Sequence, residues 1–131
     1  MSKTALQVIK RGMRELGILQ TQEEPSSDEA QDALEVLNTM LHAWDLDGIR
    51  LNHVDVVLTD TMPYPDNHIT PISYNFAVEY AAEFGVDLRS DTVQKATNGY
   101  RNLQNYYYSP DEMSVDPALS SYYSPNRYFT L

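Results

Sequence analysis

The sequence predicts a mainly α-helical protein: a four-helix body built as two αα-hairpins, a central extended strand or loop segment, and an extended C-terminal arm. Three observations predict it. Apolar residues recur on a 3.6-residue period in four separate runs. Between the second and third runs, residues 49–61 abandon that period and collect Val54, Val56, Val57 and Leu58, types that favour extended backbone. Beyond Tyr108, Pro110, Pro117 and Pro125 interrupt any regular helix.

The first helix is expected over about 3–16, with Leu6, Ile9, Met13 and Leu16 on one stripe and Gly17 placed as a left-handed C-terminal cap. The second begins at Ser26, where Glu29 three residues on fits a capping box. Asp28, Glu29 and Asp32 suit the positive end of its dipole. Ala30, Leu34, Leu37, Leu41 and Trp44 form its buried stripe, flanked by Ala33 and Met40, and Asp47-Gly48 ends it. Residues 49–61 read as a strand, whose free backbone groups need a hairpin partner or another subunit; 62–67 read as a turn. The third helix is expected from Thr70-Pro71, cap and first helical position, with Phe76, Ala77, Tyr80, Ala81 and Phe84 inward and Gly85 at its end. The fourth is capped at Ser90 or Asp91 and carries Val93, Ala96, Tyr100, Leu103 and Tyr107. Residues 1–108 are therefore the helical body, and 109–131 the arm.

Gly12 and Gly99 fall inside helices at a cost of about 1 kcal/mol each, which predicts a close helix approach at both. With 131 residues the chain is expected to form one domain with a modest core. No cysteine is present, which excludes disulfides, a thiol nucleophile and a Cys-ligated zinc site. No apolar run approaches the roughly 20 residues a membrane span needs, so a soluble protein with no membrane partner is expected.

The net charge of −10 is unevenly spread. From Glu23 to Asp91 there are fifteen acidic residues against Arg50 and Arg89, whereas the rest holds four acidic and seven basic residues. An acidic middle between basic first and last helices suits head-to-tail contact between copies, and Lys10, Arg14, Asp28 and Asp32 are the inter-subunit candidates. Tight nucleic-acid binding is not expected without a dense basic patch.

Catalytic and ligand signatures are missing. Asp45-Leu46-Asp47-Gly48 resembles the start of a calcium loop, but Arg50 and Val56 occupy the positions that need Gly and Glu. His42 and Asp45 can share a helix face, but a metal site needs three or four converging ligands, so no metal and no cofactor is expected. Glycines are scattered, without a phosphate loop. Acidic residues are abundant, but no spacing marks a catalytic pair, so no catalytic residue is nominated. The arm differs from an ordinary solvated tail: Tyr122, Tyr123, Tyr128, Phe129 and Leu131 are large apolar groups on a Pro-rich stretch. Such an arm needs a surface to bury them, either on a partner or on its own domain.

The run Arg14-Glu15-Leu16-Gly17-Ile18, then Asp32-Ala33-Leu34 through Leu37-Asn38-Thr39-Met40-Leu41 and Trp44 to Asp47-Gly48, then Tyr80-Ala81-Ala82-Glu83-Phe84-Gly85 resembles the head-to-tail adaptor (connector) family of tailed bacteriophages. The likeness is to the podovirus tail accessory factor or head completion type, and it spans about residues 4–108. The resemblance implies a structural virion protein rather than an enzyme, assembled in the host cytoplasm and placed at the head–tail junction. It implies a ring, usually of twelve copies, beneath the portal protein. The ring extends the DNA channel without sequence-specific binding of the duplex, helps retain packaged DNA, and carries the tail nozzle and possibly tail fibres. It implies that the C-terminal arm reaches along the portal, which assigns Tyr122, Tyr123, Tyr128, Phe129 and Leu131 to portal binding. The loop residues Met62, Tyr64 and Pro65 are the tail-facing candidates. Two alternatives stay open from the residues: a small carboxylate-dependent cell-wall hydrolase, and a regulatory or scaffolding helical protein.

Overall fold

The computed structural model describes residues 3–20 and 22–108. The arm 109–131, with Tyr122, Tyr123, Tyr128, Phe129 and Leu131, lies outside the described residues, as does the side chain of Phe84. Four helices make the body: α1 (Ala5–Glu15), α2 (Ser27–Ala43), α3 (Asp66–Phe84) and α4 (Ser90–Tyr107), with a 3-10 turn over Trp44–Asp47 closing α2.

The ends follow local chemistry. Thr4 and Gln7 form a reciprocal capping box at α1, and Ser26 Oγ accepts from the Glu29 amide at α2. Gly17, Gly48 and Gly85 hold φ of 75°, 90° and 61° where the chain leaves α1, the 3-10 turn and α3, a left-handed backbone that side chains disfavour.

The core lies where α1, α2 and α3 meet. Ile9 and Met13 of α1, Leu37 and Leu41 of α2, and Ile72, Phe76 and Tyr80 of α3 are almost wholly buried. α3 is the central helix: it touches the other three and packs most extensively with α4. It is therefore buried on several sides, through His68, Ile69, Ile72, Ser73, Tyr74, Phe76, Ala77, Tyr80 and Ala81. On α1 the buried face centres on Ala5, Val8, Ile9, Gly12 and Met13, leaving Leu6 and Leu16 at its edges. On α4 Thr92 is buried and Val93 is exposed, so the face is turned by one residue from the expected one.

Two expectations are corrected. The strand expected over 49–61 does not form, and no strand is present among the described residues. One antiparallel bridge joins Thr4 to Thr61, and the segment is otherwise loop, with a turn at 58–60 and Asn52 at a left-handed φ of 53°. Its backbone is paired by unlike partners. The Leu58 and Asp60 carbonyls accept from the Leu6 and Ala5 amides of α1, and the Met62 amide donates to the Lys3 carbonyl. The Asn38 side chain bonds both backbone groups of Val56, its Nδ2 donating and its Oδ1 accepting at 3.1 Å each. One amide thus serves as the neighbouring strand would.

The second correction concerns α3, which begins at Asp66 after Pro65 rather than at Thr70. Pro71 sits inside the helix and lacks the N–H that would bond the Asn67 carbonyl. The earlier start buries Ile69 and His68, which are 7% and 1% exposed.

The two helical glycines are places of close approach within the body. A Cβ on Gly12 would overlap the Phe76 ring, and one on Gly99 would lie 2.9 Å from Pro71 Cβ.

Candidate interaction surfaces

The charge split in the sequence becomes two distinct surfaces. The first is an open groove of about 880 Å³ between α2, α3 and α4. Its floor is Val36, Met40, Ala43, Trp44, Ala82 and Tyr100, and its walls carry Asp32, Glu35, Asp47, Glu79 and Glu83. Trp44 and Tyr100 meet edge to face with ring centroids 5.6 Å apart. Burial first, and a hydrogen bond to Asp47 second, push the Tyr100 phenol up to about 12, so the phenol stays protonated and the groove's negative charge is carried by carboxylates. Asn75 at its edge ties α3 to α4, its Nδ2 donating to the Pro71 and Ala96 carbonyls at 2.9 Å each.

The second surface is a groove of about 270 Å³ between α1 and α3, lined by Lys3, Gln7, Val8, Lys10, Arg11, Arg14, Ile69 and Ser73. Lys10 donates to Glu24 at 2.7 Å. The Arg11 guanidinium and the Lys95 ammonium both lie against the Tyr74 ring, 5.8 and 5.4 Å from its centroid. Ser73 is fully buried at the groove's base, and its Oγ makes no hydrogen bond among the described residues.

Residues 62–65 form part of the body. Met62 is 3% exposed and belongs to the core, so its side chain is not available to a partner. Tyr64 is half-buried and its hydroxyl is engaged with His53 Nδ1. Only Pro65 of the three loop candidates is exposed. Around Tyr64 runs an array that spacing alone does not reveal. His42 meets His53 edge to face at 4.9 Å, His53 stacks on Tyr64, Tyr64 stacks on His68, and His68 meets Tyr106 and Tyr107 edge to face. All three histidines of the chain lie in it. It links the end of α2, the extended segment, the first turn of α3 and the last turn of α4.

The hydrogen bonds in this array fix protonation. Asn38 Oδ1 is oriented by the Val56 amide and lies 2.7 Å from His53 Nε2, so Nε2 carries the proton and Nδ1 accepts from the Tyr64 hydroxyl. Burial, then the nearby His42, lowers the His53 pKa and keeps this ring neutral. Burial, then Tyr107 and Asp45, raises that of the Tyr64 phenol. Burial lowers His68 in the same way.

Among the inter-subunit candidates, Lys10 and Arg14 line the basic groove and Asp32 the acidic one, while Asp28 is exposed in the first turn of α2. Glu35, Asp47, Glu79, Glu83, Lys3 and Arg11 were not among the inter-subunit candidates read from the sequence. The i, i+4 spacing of Glu79 and Glu83, and the nearness of Arg11 to Lys10 and Arg14, were the available signals. Comparison with models of known protein families and with curated protein sequences finds no match.

Proposed function

We propose that this chain is a structural head-to-tail adaptor of a tailed phage, a subunit of a ring, twelve copies in the family it resembles, seated beneath the portal protein at the virion neck. The observation that carries the reading is the placement of an acidic groove and a basic groove on separate faces of one small body. Faces of opposite charge on one subunit favour a heterologous contact, one patch against a different patch of the next copy, and such contacts close into rings when the rotation permits.

On this reading the ring extends the DNA channel, helps retain the genome and carries the tail nozzle, with tail fibres a further partner. A chain of net charge −10 repels the duplex rather than gripping it. The arm 109–131 is the portal anchor. Its tyrosines give large contact area at low conformational cost, and repetition around the ring converts weak contacts into avidity. Co-sedimentation with the cognate portal ring, using the full chain and a form ending at Tyr108, tests this. Only the full chain should bind, in ring stoichiometry. Binding by neither form overturns the adaptor reading, and binding by both moves portal docking to the helical body.

A further inference from the structure

The ends of α2 and the extended segment bring together two imidazoles and a carboxylate that the assembly reading does not use. His42 Nε2 lies 2.6 Å from Asp55 Oδ1, and one ligand atom from each of His42, His53 and Asp55 falls within 4.8 Å of the others. Asn38 and His42 are one turn apart on α2, so they share a face, and His53 points its Nε2 edge at that face through Asn38. His53 and Asp55 are two apart in the segment that follows, and their ligand atoms come together with that of His42.

We infer that His42, His53 and Asp55 form a binding site for a divalent transition-metal ion, with Zn²⁺ the best match, whose occupancy pins the extended segment to α2. The donor set is two imidazoles and one carboxylate with an open fourth position for water, the composition zinc accepts at three-ligand sites. Bonds of about 2.0–2.2 Å place tetrahedral ligands roughly 3.3–3.6 Å apart, so His42 Nε2 and Asp55 Oδ1, now 2.6 Å apart, must open around the ion. The members that must move are free to do so, because the His42 and Asp55 side chains are 49% and 74% exposed. The buried member, His53, is already neutral, as a ligand must be.

Loading the site requires a shift of tautomer at both rings, because His42 Nε2 donates to Asp55 and His53 Nε2 to Asn38. Each Nε2 proton passes to its Nδ1, Asn38 Oδ1 gives up its place at His53 Nε2 to the ion, and His53 Nδ1–H donates to the Tyr64 oxygen. Tyr64 then becomes the outer partner that orients a ligating imidazole. Asp45, whose charge acts on both His53 and Tyr64, adds negative potential that favours a cation. The spacing is legible afterwards as Asn-x3-His on a helix and His-x-Asp on the segment that follows.

The test is titration of the full chain with ZnCl2 by calorimetry, with Co²⁺ visible absorption as a report of tetrahedral nitrogen and oxygen ligands. His42→Ala and Asp55→Asn are the variants, both at exposed positions, with folding checked by circular dichroism. The expected result is one ion per chain, affinity falling at least ten-fold in each variant, and a thermal midpoint that Zn²⁺ raises in the parent only. Binding of equal strength in parent and variants would place the ion on the general acidic surface and overturn the proposal. So would the absence of saturable binding, or a Co²⁺ spectrum of hexahydrate type. None of these outcomes depends on portal binding.

Discussion

His68 Nε2 and the Tyr107 hydroxyl lie 2.8 Å apart, joining the first turn of α3 to the last turn of α4 across thirty-nine residues of chain. His68 Nδ1 faces Asn67 Oδ1 at 2.6 Å and so carries the proton, which makes Nε2 the acceptor and Tyr107 the donor. His68 is 1% exposed, so losing that donor leaves a buried acceptor unpaired. Tyr107→Phe should therefore lower stability by about 1–2 kcal/mol. Urea unfolding of parent and variant with an unchanged slope measures it; equal midpoints would show that the bond contributes nothing.

The same histidine predicts an acid-sensitive body. Its pKa is lowered by burial, and its ring packs against Tyr64, Tyr106 and Tyr107. The unfolded chain takes up the proton near pH 6.5 while the folded one resists it. Stability is thus fully present above that pH and falls as pH drops toward the folded value. Thermal midpoints between pH 7.5 and 5.5 should decline in the parent, and His68→Gln should flatten part of that decline. An unchanged slope in the variant would remove His68 as a cause.

Gly99→Ala reverses the usual helix rule. Propensity alone favours Ala by about 1 kcal/mol. The added Cβ, however, would stand 2.9 Å from Pro71 Cβ and 3.1 Å from Pro71 Cα, atoms of a rigid ring and a backbone that cannot turn aside. Net destabilisation of about 1–3 kcal/mol is expected. Gly12→Ala meets the buried Phe76 ring and should behave alike. A higher thermal midpoint for either variant would show that the helices separate easily.

Those glycines mark how much was legible. A glycine in a periodic apolar run has few reasons to be there, so close approach could be read from sequence, though not the partners Phe76 and Pro71. The stripe of α2 was legible because one face of it is buried. α3 was harder: buried on several sides, it lacks a clean stripe, and Thr70-Pro71 imitates a helix start one turn after the real one. The expected strand failed for a different reason. The segment's backbone partners are an asparagine side chain and a helix terminus, contacts at separations that local pattern does not encode. The charge split was visible in the order of residues; the grooves that collect it depend on helix packing. The histidine array left no spacing signal, because its members come from four separate elements.

Asn38→Ala should be among the more damaging polar substitutions in the chain. It removes both bonds to Val56 and leaves the 7%-exposed His53 ring without its Nε2 acceptor. At about 1 kcal/mol per bond, with a further penalty for the orphaned ring, a loss of about 2–4 kcal/mol is expected. Amide hydrogen exchange should then rise at Val56 while the α3 core stays protected. Uniform exchange across the chain would mean that the segment is not separately held by Asn38.

Charge reversal discriminates a heterologous ring contact from any symmetric one. Lys10→Glu with Arg11→Glu and Arg14→Glu leaves Lys3 as the one cation of the basic groove and so makes both faces acidic, and Glu35→Lys with Glu79→Lys and Glu83→Lys outweighs the remaining Asp32 and Asp47 and so makes both faces basic. If the chain is the proposed adaptor, each variant alone should fail to assemble on the portal, because every interface around such a ring would join like charges. An equimolar mixture should assemble, since acidic-faced and basic-faced copies can alternate around a ring of even number. Parent assembly should weaken from low to high salt, because exposed charges are screened over about 10 Å at 0.1 M ionic strength. Sedimentation of portal complexes, with the two variants distinguished by mass, gives the ratio directly. A one-to-one composition supports contact between the two grooves. Full assembly of either variant by itself would show that these surfaces face solvent and that the ring is held by other contacts.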